Sequence, residues 1–305
     1  MKKIFVIKSD YVNSRLDRWL RRNISDVPQS LIEKNLRKGN IKVNNKKRKS
    51  SYKLLLDDQI SLFNINFKVT KEINKKIDYK ATKRDLLVSS NIFIENNTNF
   101  VVINKHAGIA VQSGTKSKRN ILDILKSTRE FDGLKPFTVH RIDKDTTGAL
   151  IIAKNRKYAQ LFTSLFRIRK IYKTYLAITL GEFENKKGTF NDELIFYEGK
   201  KLIKAKAITH YNVIDSNNRY SFIRLNPETG RKHQLRKQLL IHGHPVLGDS
   251  KYRIKDLHNK KDNNLMLHAY NLKFKITDIK HDYYANLPSA FIKTLKEKYL
   301  KNFLQ

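Results

Sequence analysis

The sequence predicts a chain that mixes helices and strands, and three observations carry that reading. Short β-branched runs meet across polar turns, most clearly at residues 137–154, FTVHRIDKDTTGALIIAK. Apolar residues recur at helical spacing elsewhere, as at Leu16, Trp19 and Leu20. Gly and Pro mark the boundaries between such segments, as at Pro28 and Gly39. With 305 residues and 40% apolar content, the chain can bury one large core or two smaller ones.

Charge narrows the partner before any motif does. Lys and Arg number 63 against 28 Asp and Glu, a formal net charge of +35, and such a field attracts polyanions. A chain rich in Lys, Asn and Ile also fits an A/T-biased genome, but the charge acts whatever its origin. The absence of Cys excludes disulfides and thiolate metal sites and fits a reducing cytosol. Met1-Lys2-Lys3 has the basic start of a signal peptide, yet the apolar run Ile4–Ile7 is too short and Lys8-Ser9-Asp10 ends it. No later run reaches membrane-spanning length, so the expectation is a soluble cytoplasmic protein.

In chain order, an initial strand-like segment precedes a helix opened by Ser14, with Asp17 in the acidic place of a capping box. Leu16, Trp19 and Leu20 form its apolar face, and Arg15, Arg18, Arg21 and Arg22 its basic one. Residues 30–38 predict a second helix that buries Leu31, Ile32 and Leu36 and stops at Gly39 in a left-handed conformation. A strand at 40–43, the turn Asn44-Asn45 and returning strands at 54–62 follow, with Lys46, Lys47, Arg48 and Lys49 at the hairpin tip. A charge run is usually a solvated face, so the basic tip alone identifies nothing. Residues 63–88 turn basic and polar, with little to build a core, and predict a linker.

Beyond the linker, residues 92–95 and 100–104 predict a strand pair across Asn96-Asn97-Thr98. A helix capped by Asn155 runs to Phe166 with Ala159 and Phe162 on one side, and residues 167–178 become a strand that carries Lys170, Lys173 and Tyr175. After Gly230 a helix starts, with Leu235, Leu239 and His242 on its inner face. Arg231, Lys232 and His233 then crowd a helix N-terminus, where the macrodipole disfavours cations, so they call for a negative partner. Residues 243–249 read as a structural loop, and His242 and His244 lack companions at ligand spacing, so no metal site is expected. Residues 267–276 predict a core strand, and Pro288-Ser289-Ala290 opens a last helix with Phe291, Leu295, Tyr299 and Phe303 on its apolar face.

The chemistry is expected in the loop between 137–139 and 149–153, where a rigid scaffold presents His140, Arg141 and Asp143. A carboxylate there can close the turn, act as an acid, base or nucleophile, or join Asp145 on a metal. Turn closure needs no function at all, because Asp is a common turn residue.

The whole string separates these readings. His140-Arg141-Ile142-Asp143, two residues, Thr146-Thr147-Gly148 and a run ending in Ala153-Lys154 closely resemble the signature of the RluA/RluC/RluD-type pseudouridine synthases. That signature reads His-Arg-Leu-Asp, two variable residues, Thr-Ser-Gly and an apolar run ending in Ala-Lys; Ile142 and Thr147 are mild departures. Asn104-Lys105-His106-Ala107-Gly108-Ile109 resembles another family motif, with His106 where the family has Pro, and Gln112-Ser113-Gly114 is closest to the RluC branch. Lys173-Thr174-Tyr175-Leu176-Ala177 fits the family's Lys-x-Tyr-x-Ala pattern, and residues 225–236 carry a further match. Residues 12–62 resemble the RNA-binding domain of the ribosomal protein S-four type, the alpha-L motif, through Ser14-Arg15-Leu16-Asp17, Arg37-Lys38-Gly39 and Val43-Asn44.

The resemblance implies an α+β protein: a catalytic domain at 89–305 on a large mixed, mainly antiparallel sheet, a basic linker at 63–88 and a small S-four-like RNA-binding domain at 1–62. It implies isomerisation of uridine to pseudouridine in large-subunit ribosomal RNA, with the nucleotide flipped out of its stack. Asp143 matches the catalytic aspartate, which would attack the sugar, attack the base or take a sugar proton. Arg141 matches the arginine that fills the vacated space, Tyr175 the tyrosine that contacts the base, and Arg236 the arginine that pairs with the aspartate and aims it. Arg15, Arg18, Lys38, Lys170, Lys173 and Arg231 are the expected RNA-binding residues. No cofactor or metal is implied. The expected partner is ribosomal RNA or the pre-ribosomal particle, met by a monomer. The rival readings are a transfer RNA target and a non-catalytic RNA-binding assembly factor; a hydrolase built on Asp143 and Asp145 has no supporting motif.

Overall fold

The computed structural model describes residues 2–8, 11–24, 28–63, 65, 79–83, 85–86, 91–113, 119–198, 201–254 and 264–301. The chain separates into two compact units, Met1–Ile77 and Asp78–Gln305.

In the first unit, β1 (Lys2–Val6), β2 (Ile41–Val43) and β3 (Gln59–Phe63) form an antiparallel sheet in the order β1-β3-β2. Helices α1 (Leu16–Asn23) and α2 (Gln29–Lys38) bury Leu16, Trp19, Leu20, Ile32 and Leu36 with Ile7, Val43, Leu54 and Ile60. Gly39 ends α2 at φ 77°, and Asn44 and Asn45 form the tight turn at φ 50° and 59°. Three details differ from expectation. Ser14 is not the cap: extended Arg15 holds that position, and Asp17 accepts from the Arg15 guanidinium at 2.7 and 3.1 Å and from the Arg18 N–H at 2.7 Å. Leu31 is exposed, because the inward stripe of α2 is Ile32 and Leu36, four residues apart. The return strand begins only at Gln59, because Asp57 turns left-handed at φ 61°.

The expected linker falls largely outside the described residues. Of its described part, Phe63 closes β3, while Tyr79 and Ala81 pack on the core of the second unit and Asp85 accepts hydrogen bonds from Tyr79, Thr82 and Arg119.

The second unit is built on a sheet in the order β4-β5-β7-β12-β8-β11-β10-β9. Its strands are β4 (Phe93–Asn96), β5 (Phe100–Lys105), β7 (Thr147–Ala153), β8 (Ile171–Leu180), β9 (Lys187–Glu198), β10 (Lys201–Ser216), β11 (Tyr220–Pro227) and β12 (Leu267–Ile276). The short β6 (Phe137–Thr138) pairs with β7, and β13 (Ile279–Tyr284) pairs with β12. All these pairings are antiparallel except β7 with β12, so the sheet is mixed and mainly antiparallel within an α+β fold. The parallel junction consists of Thr147 with His268 and Gly148 with Ala269. Glycine is required there: at φ +109° a Cβ on Gly148 would stand 2.2 Å from the Ala269 carbonyl oxygen.

Strand β7 is buried along its whole length because both faces meet core. Leu150 and Ile152 pack with Val101, Ile103 and Ile124 of α3 (Ile121–Leu125), and Ala149, Ile151 and Ala153 pack with Phe162 of α4 (Arg156–Arg167). Asn155 caps α4 as expected, accepting the Tyr158 N–H at 3.0 Å. A third cluster joins Leu176, Ile178 and Phe222 to Leu239 of α5 (Gln234–Ile241) and to Phe291 and Leu295 of α6 (Ser289–Glu297). Residues 167–170 are not strand: α4 ends at Arg167 and Arg169 turns at φ 57°. Helix α5 begins at Gln234 rather than after Gly230, and His242 beyond its end is exposed and stacked on Phe190. Tyr299 is 89% exposed, because α6 has already ended and the backbone turns at φ 56°. Phe303 lies outside the described residues.

Candidate active site

Asp143 stands in the polar loop between β6 and β7, and two side chains, one of them fully buried, fix that loop. Lys105, at the end of β5, has no exposed surface, and its Nζ donates to the carbonyls of His106 (2.8 Å), Ile109 (3.0 Å) and Lys144 (2.9 Å). Gly108 N–H adds a second tie to Lys144 O at 3.1 Å, so the Asn104–Val111 turn is laced to the Asp143 loop. Burial pushes the Lys105 ammonium down to about 7, against the pull of Asp145 and Asp143. On the other side, His140 Nε2 accepts the Ile151 N–H at 2.8 Å while its ring stacks on Phe166 at 4.4 Å. Burial, aided by Lys173, pulls this imidazole down to about 3, so His140 is neutral and holds the loop.

Facing the loop, residues 228–233 carry the chain from β11 into α5. The turn is locked from behind: Gln234 Oε1 accepts from Thr229 Oγ1 (2.8 Å) and Arg231 N–H (3.0 Å), and its Nε2 donates to Thr209 Oγ1 (2.9 Å). His233 occupies the cap position in a left-handed conformation, φ 54°, with its side chain half-buried. One turn into the helix comes Arg236, whose side chain is 8% exposed. Its Nε and Nη2 donate to Asp249 at 2.6 and 2.7 Å, and its Nη1 donates to Asp143 Oδ2 at 3.0 Å. Burial opposes the guanidinium charge, but Asp249 and then Asp143 outweigh it and raise the Arg236 pKa. Asp249 also accepts the N–H groups of Lys251 and Tyr252 at 2.8 and 2.9 Å, and the Tyr252 ring lies 5.1 Å from the Arg236 guanidinium.

Between these walls lies a cleft of about 740 Å³. It brings together Asp143, Arg141, Tyr175, Arg236, Lys173 and Arg231 from the expected set. Tyr175 lies half-buried on β8, and burial together with the Asp143 charge raises its hydroxyl above the ordinary tyrosine range, so it stays protonated. Burial, then Arg169, lowers Lys173 to about 8. Lys170 is exposed and outside the cleft lining, where Arg167 and Arg169 stand instead. In the first unit, Arg15, Arg18 and Lys38 are exposed, and Arg15 is paired with Asp17. Sequence reasoning passed over Asp249, Tyr252 and Lys105 as site residues and weighed His233 only as one of a basic group. The 243–249 stretch gave Asp249 only a structural place, whereas its importance comes from a guanidinium 13 residues earlier in the chain. Among the described residues no cluster of His, Asp and Glu could hold a metal ion, and no helix is long and apolar enough to cross a membrane.

A buried arginine shared between a part-exposed carboxylate and a sealed one, in a cleft lined by arginines, is an arrangement able to do acid–base or nucleophilic work on a polyanion. Residues 99–240 match the family model described as RNA pseudouridylate synthase. The chain is 34% identical to ribosomal large subunit pseudouridine synthase C of Rickettsia conorii, across 93% of this chain and 97% of that protein. It is 32% identical to the protein of that name in Buchnera aphidicola subsp. Baizongia pistaciae (85% of each chain) and 30% identical to that of Vibrio vulnificus (89% and 88%). Among solved structures, human RNA pseudouridylate synthase domain containing 4 superposes with a TM-score of 0.62 at 25% identity, over 72% of this chain and 98% of that one. The chain belongs to the RluA-type pseudouridine synthases of the RNA pseudouridylate synthase family.

Proposed function

We propose that this protein isomerises uridine to pseudouridine in large-subunit ribosomal RNA, with Asp143 as the catalytic residue. The observation that carries the reading is the part-exposed placement of Asp143: one oxygen is held by Arg236 at 3.0 Å, and the other faces a cationic cleft. The reaction breaks the bond from C1′ to N1, turns the uracil, and joins C1′ to C5; C5 loses a proton and N1 gains one, so no oxidant or co-reactant is needed. The bond is hidden inside a stack, so the nucleotide must be flipped into the cleft. Arg141 fills the gap left behind, Tyr175 meets the base, and Lys173, Arg231 and Arg169 take phosphates. The relatives named for the large ribosomal subunit favour ribosomal RNA over a transfer RNA target or a non-catalytic assembly role.

The first unit acts as an S-four-like RNA-binding domain, docking through Arg15, Arg18 and Lys38 by shape and phosphate contact. A ribosomal substrate implies work in the cytoplasm, on free RNA or on the pre-ribosomal particle. The reading takes the protein to act as a monomer. The test is carbodiimide-blocked primer extension across large-subunit RNA from a host lacking its own enzymes. Discrete stops should appear with the wild-type protein and vanish with Asp143→Asn. A protein that binds the RNA without producing stops would sink the enzymatic reading.

A further inference from the structure

The two oxygens of Asp143 face different basic side chains. Oδ2 accepts from Arg236 at 3.0 Å, whereas Oδ1 faces His233 Nε2 at 3.7 Å, beyond hydrogen-bond distance but within reach of a small ring rotation. The other His233 nitrogen, Nδ1, lies 2.9 Å from the Tyr252 hydroxyl, with the two rings edge to face at 5.5 Å. The same Tyr252 ring carries Arg236 on its face, and its backbone N–H is fixed to Asp249. One tyrosine platform thus holds both basic side chains that address the carboxylate. His233 reaches this position only through a left-handed backbone, φ 54°, an uncommon conformation for a non-glycine residue with a bulky side chain.

We propose that His233 is a positioning residue for Asp143: neutral, it leaves Oδ1 free for the target nucleotide, and protonated, it closes on that oxygen as an ion pair and shuts the site. The proposal deepens the reading of Asp143 as the catalytic residue and rests on it. The groups that face His233 are Asp143 from the β6–β7 loop, Arg236 on α5, Lys232 before it, and Lys251 and Tyr252 from the turn after Asp249. Burial holds the imidazole below its ordinary value, with Arg236, Lys251 and Lys232 acting in the same direction and Asp143 alone opposing them. The neutral, open form therefore prevails at neutral pH, and acid drives closure.

Two measurements on the full chain test this. In an NMR titration of the His233 imidazole, Asp143→Asn should lower its midpoint, because the one charge that favours the imidazolium is removed; an unchanged midpoint overturns the coupling. In single-turnover pseudouridine formation, the wild-type rate should fall about tenfold per pH unit below that midpoint. His233→Asn, which tolerates the left-handed backbone, should lose this acid limb while RNA affinity persists. A limb that survives in His233→Asn belongs to another group and overturns the proposal. Should that variant fail to fold, Tyr252→Phe decides: it keeps the ring under Arg236, frees Nδ1, and should move the limb, and an unmoved limb counts against His233. A wild-type protein inactive at every pH would sink the pseudouridine reading, while the titration would still decide the coupling.

Discussion

Arg236 and Asp249 form a closed two-point ion pair inside the second unit: two guanidinium N–H groups meet the two carboxylate oxygens at 2.6 and 2.7 Å, and the Asp249 side chain has no exposed surface. The pair neutralises a guanidinium that would be ruinous to bury alone and leaves its third donor for Asp143. The two carboxylates that share Arg236 should therefore respond differently to mutation. Asp249→Asn strands a buried charge, and breaking such a pair costs about 3–5 kcal/mol. Asp143→Asn leaves Arg236 paired with Asp249 and should cost less than about 1 kcal/mol while abolishing activity. Urea unfolding alongside a single-turnover assay distinguishes the two; equal destabilisation by both would contradict this division of roles.

Gly148 should tolerate no side chain. In Gly148→Ala the new methyl meets the Ala269 carbonyl, and the left-handed φ of +109° adds strain. The parallel junction of β7 and β12 would have to part, with a loss of about 2–4 kcal/mol. Thermal melting checks the size, and a variant as stable as the wild type would show that the junction moves freely.

Acid should weaken the fold through buried neutral histidines. His268 has no exposed surface, lies 2.8 Å from Thr147 Oγ1 and 3.0 Å from Ala285 O, and burial lowers it to about 4. Its folded value lies below the unfolded one of about 6.5, so between these values the unfolded chain binds the extra proton and stability rises with pH. The contribution is complete above about pH 6.5 and falls by up to about 1.4 kcal/mol per pH unit as acid is added. His140, held at about 3, acts in the same direction over a window that reaches lower. Urea midpoints from pH 4 to 7 should slope less in His268→Gln than in the wild type; identical slopes would remove His268 from the account.

Arg231 lines the cleft with an exposed side chain and donates from Nε to Lys206 O at 3.1 Å. As a proposed RNA contact, Arg231 would meet a phosphate from the cleft wall. Arg231→Ala should weaken RNA binding across sequences and reduce the slope of log affinity against log salt by about 0.7–0.9, one phosphate contact. Filter binding at several salt concentrations measures the slope, and an unchanged value would take Arg231 out of the interface.

Much of this architecture was legible because it is periodic or punctuated. Leu16, Trp19 and Leu20, the Asn155 cap, the Gly39 stop and the Asn44-Asn45 turn each follow from local chemistry, and each stands where that chemistry puts it. The cleft residues were legible through a motif, and Asp143, Arg141, Tyr175 and Arg236 do converge on one cleft. What escaped depends on contacts distant in sequence. Asp249 looked like a loop residue because its partner lies on α5, and Lys105 stood in a motif without a role of its own because its three carbonyl acceptors exist only after the loops fold. The start of α5 was misplaced because His233 adopts a left-handed backbone that its side chain does not advertise. The long β9–β10 hairpin went unread: its strands pair from Lys187 with Asn212 to Glu198 with Lys201.

The junction of β7 with β12 has a further bearing on how the molecule works. Two register pairs stitch the β4-β5-β7 wing to the β12-β8-β11-β10-β9 wing, and Asp143 hangs from the first while Arg236 follows β11 of the second. The hydrogen bond between them spans a seam, much as the jaws of a caliper close on a gap set elsewhere in the instrument. A displacement of one wing against the other would therefore change the distance between Asp143 and Arg236 directly, without any change to either side chain.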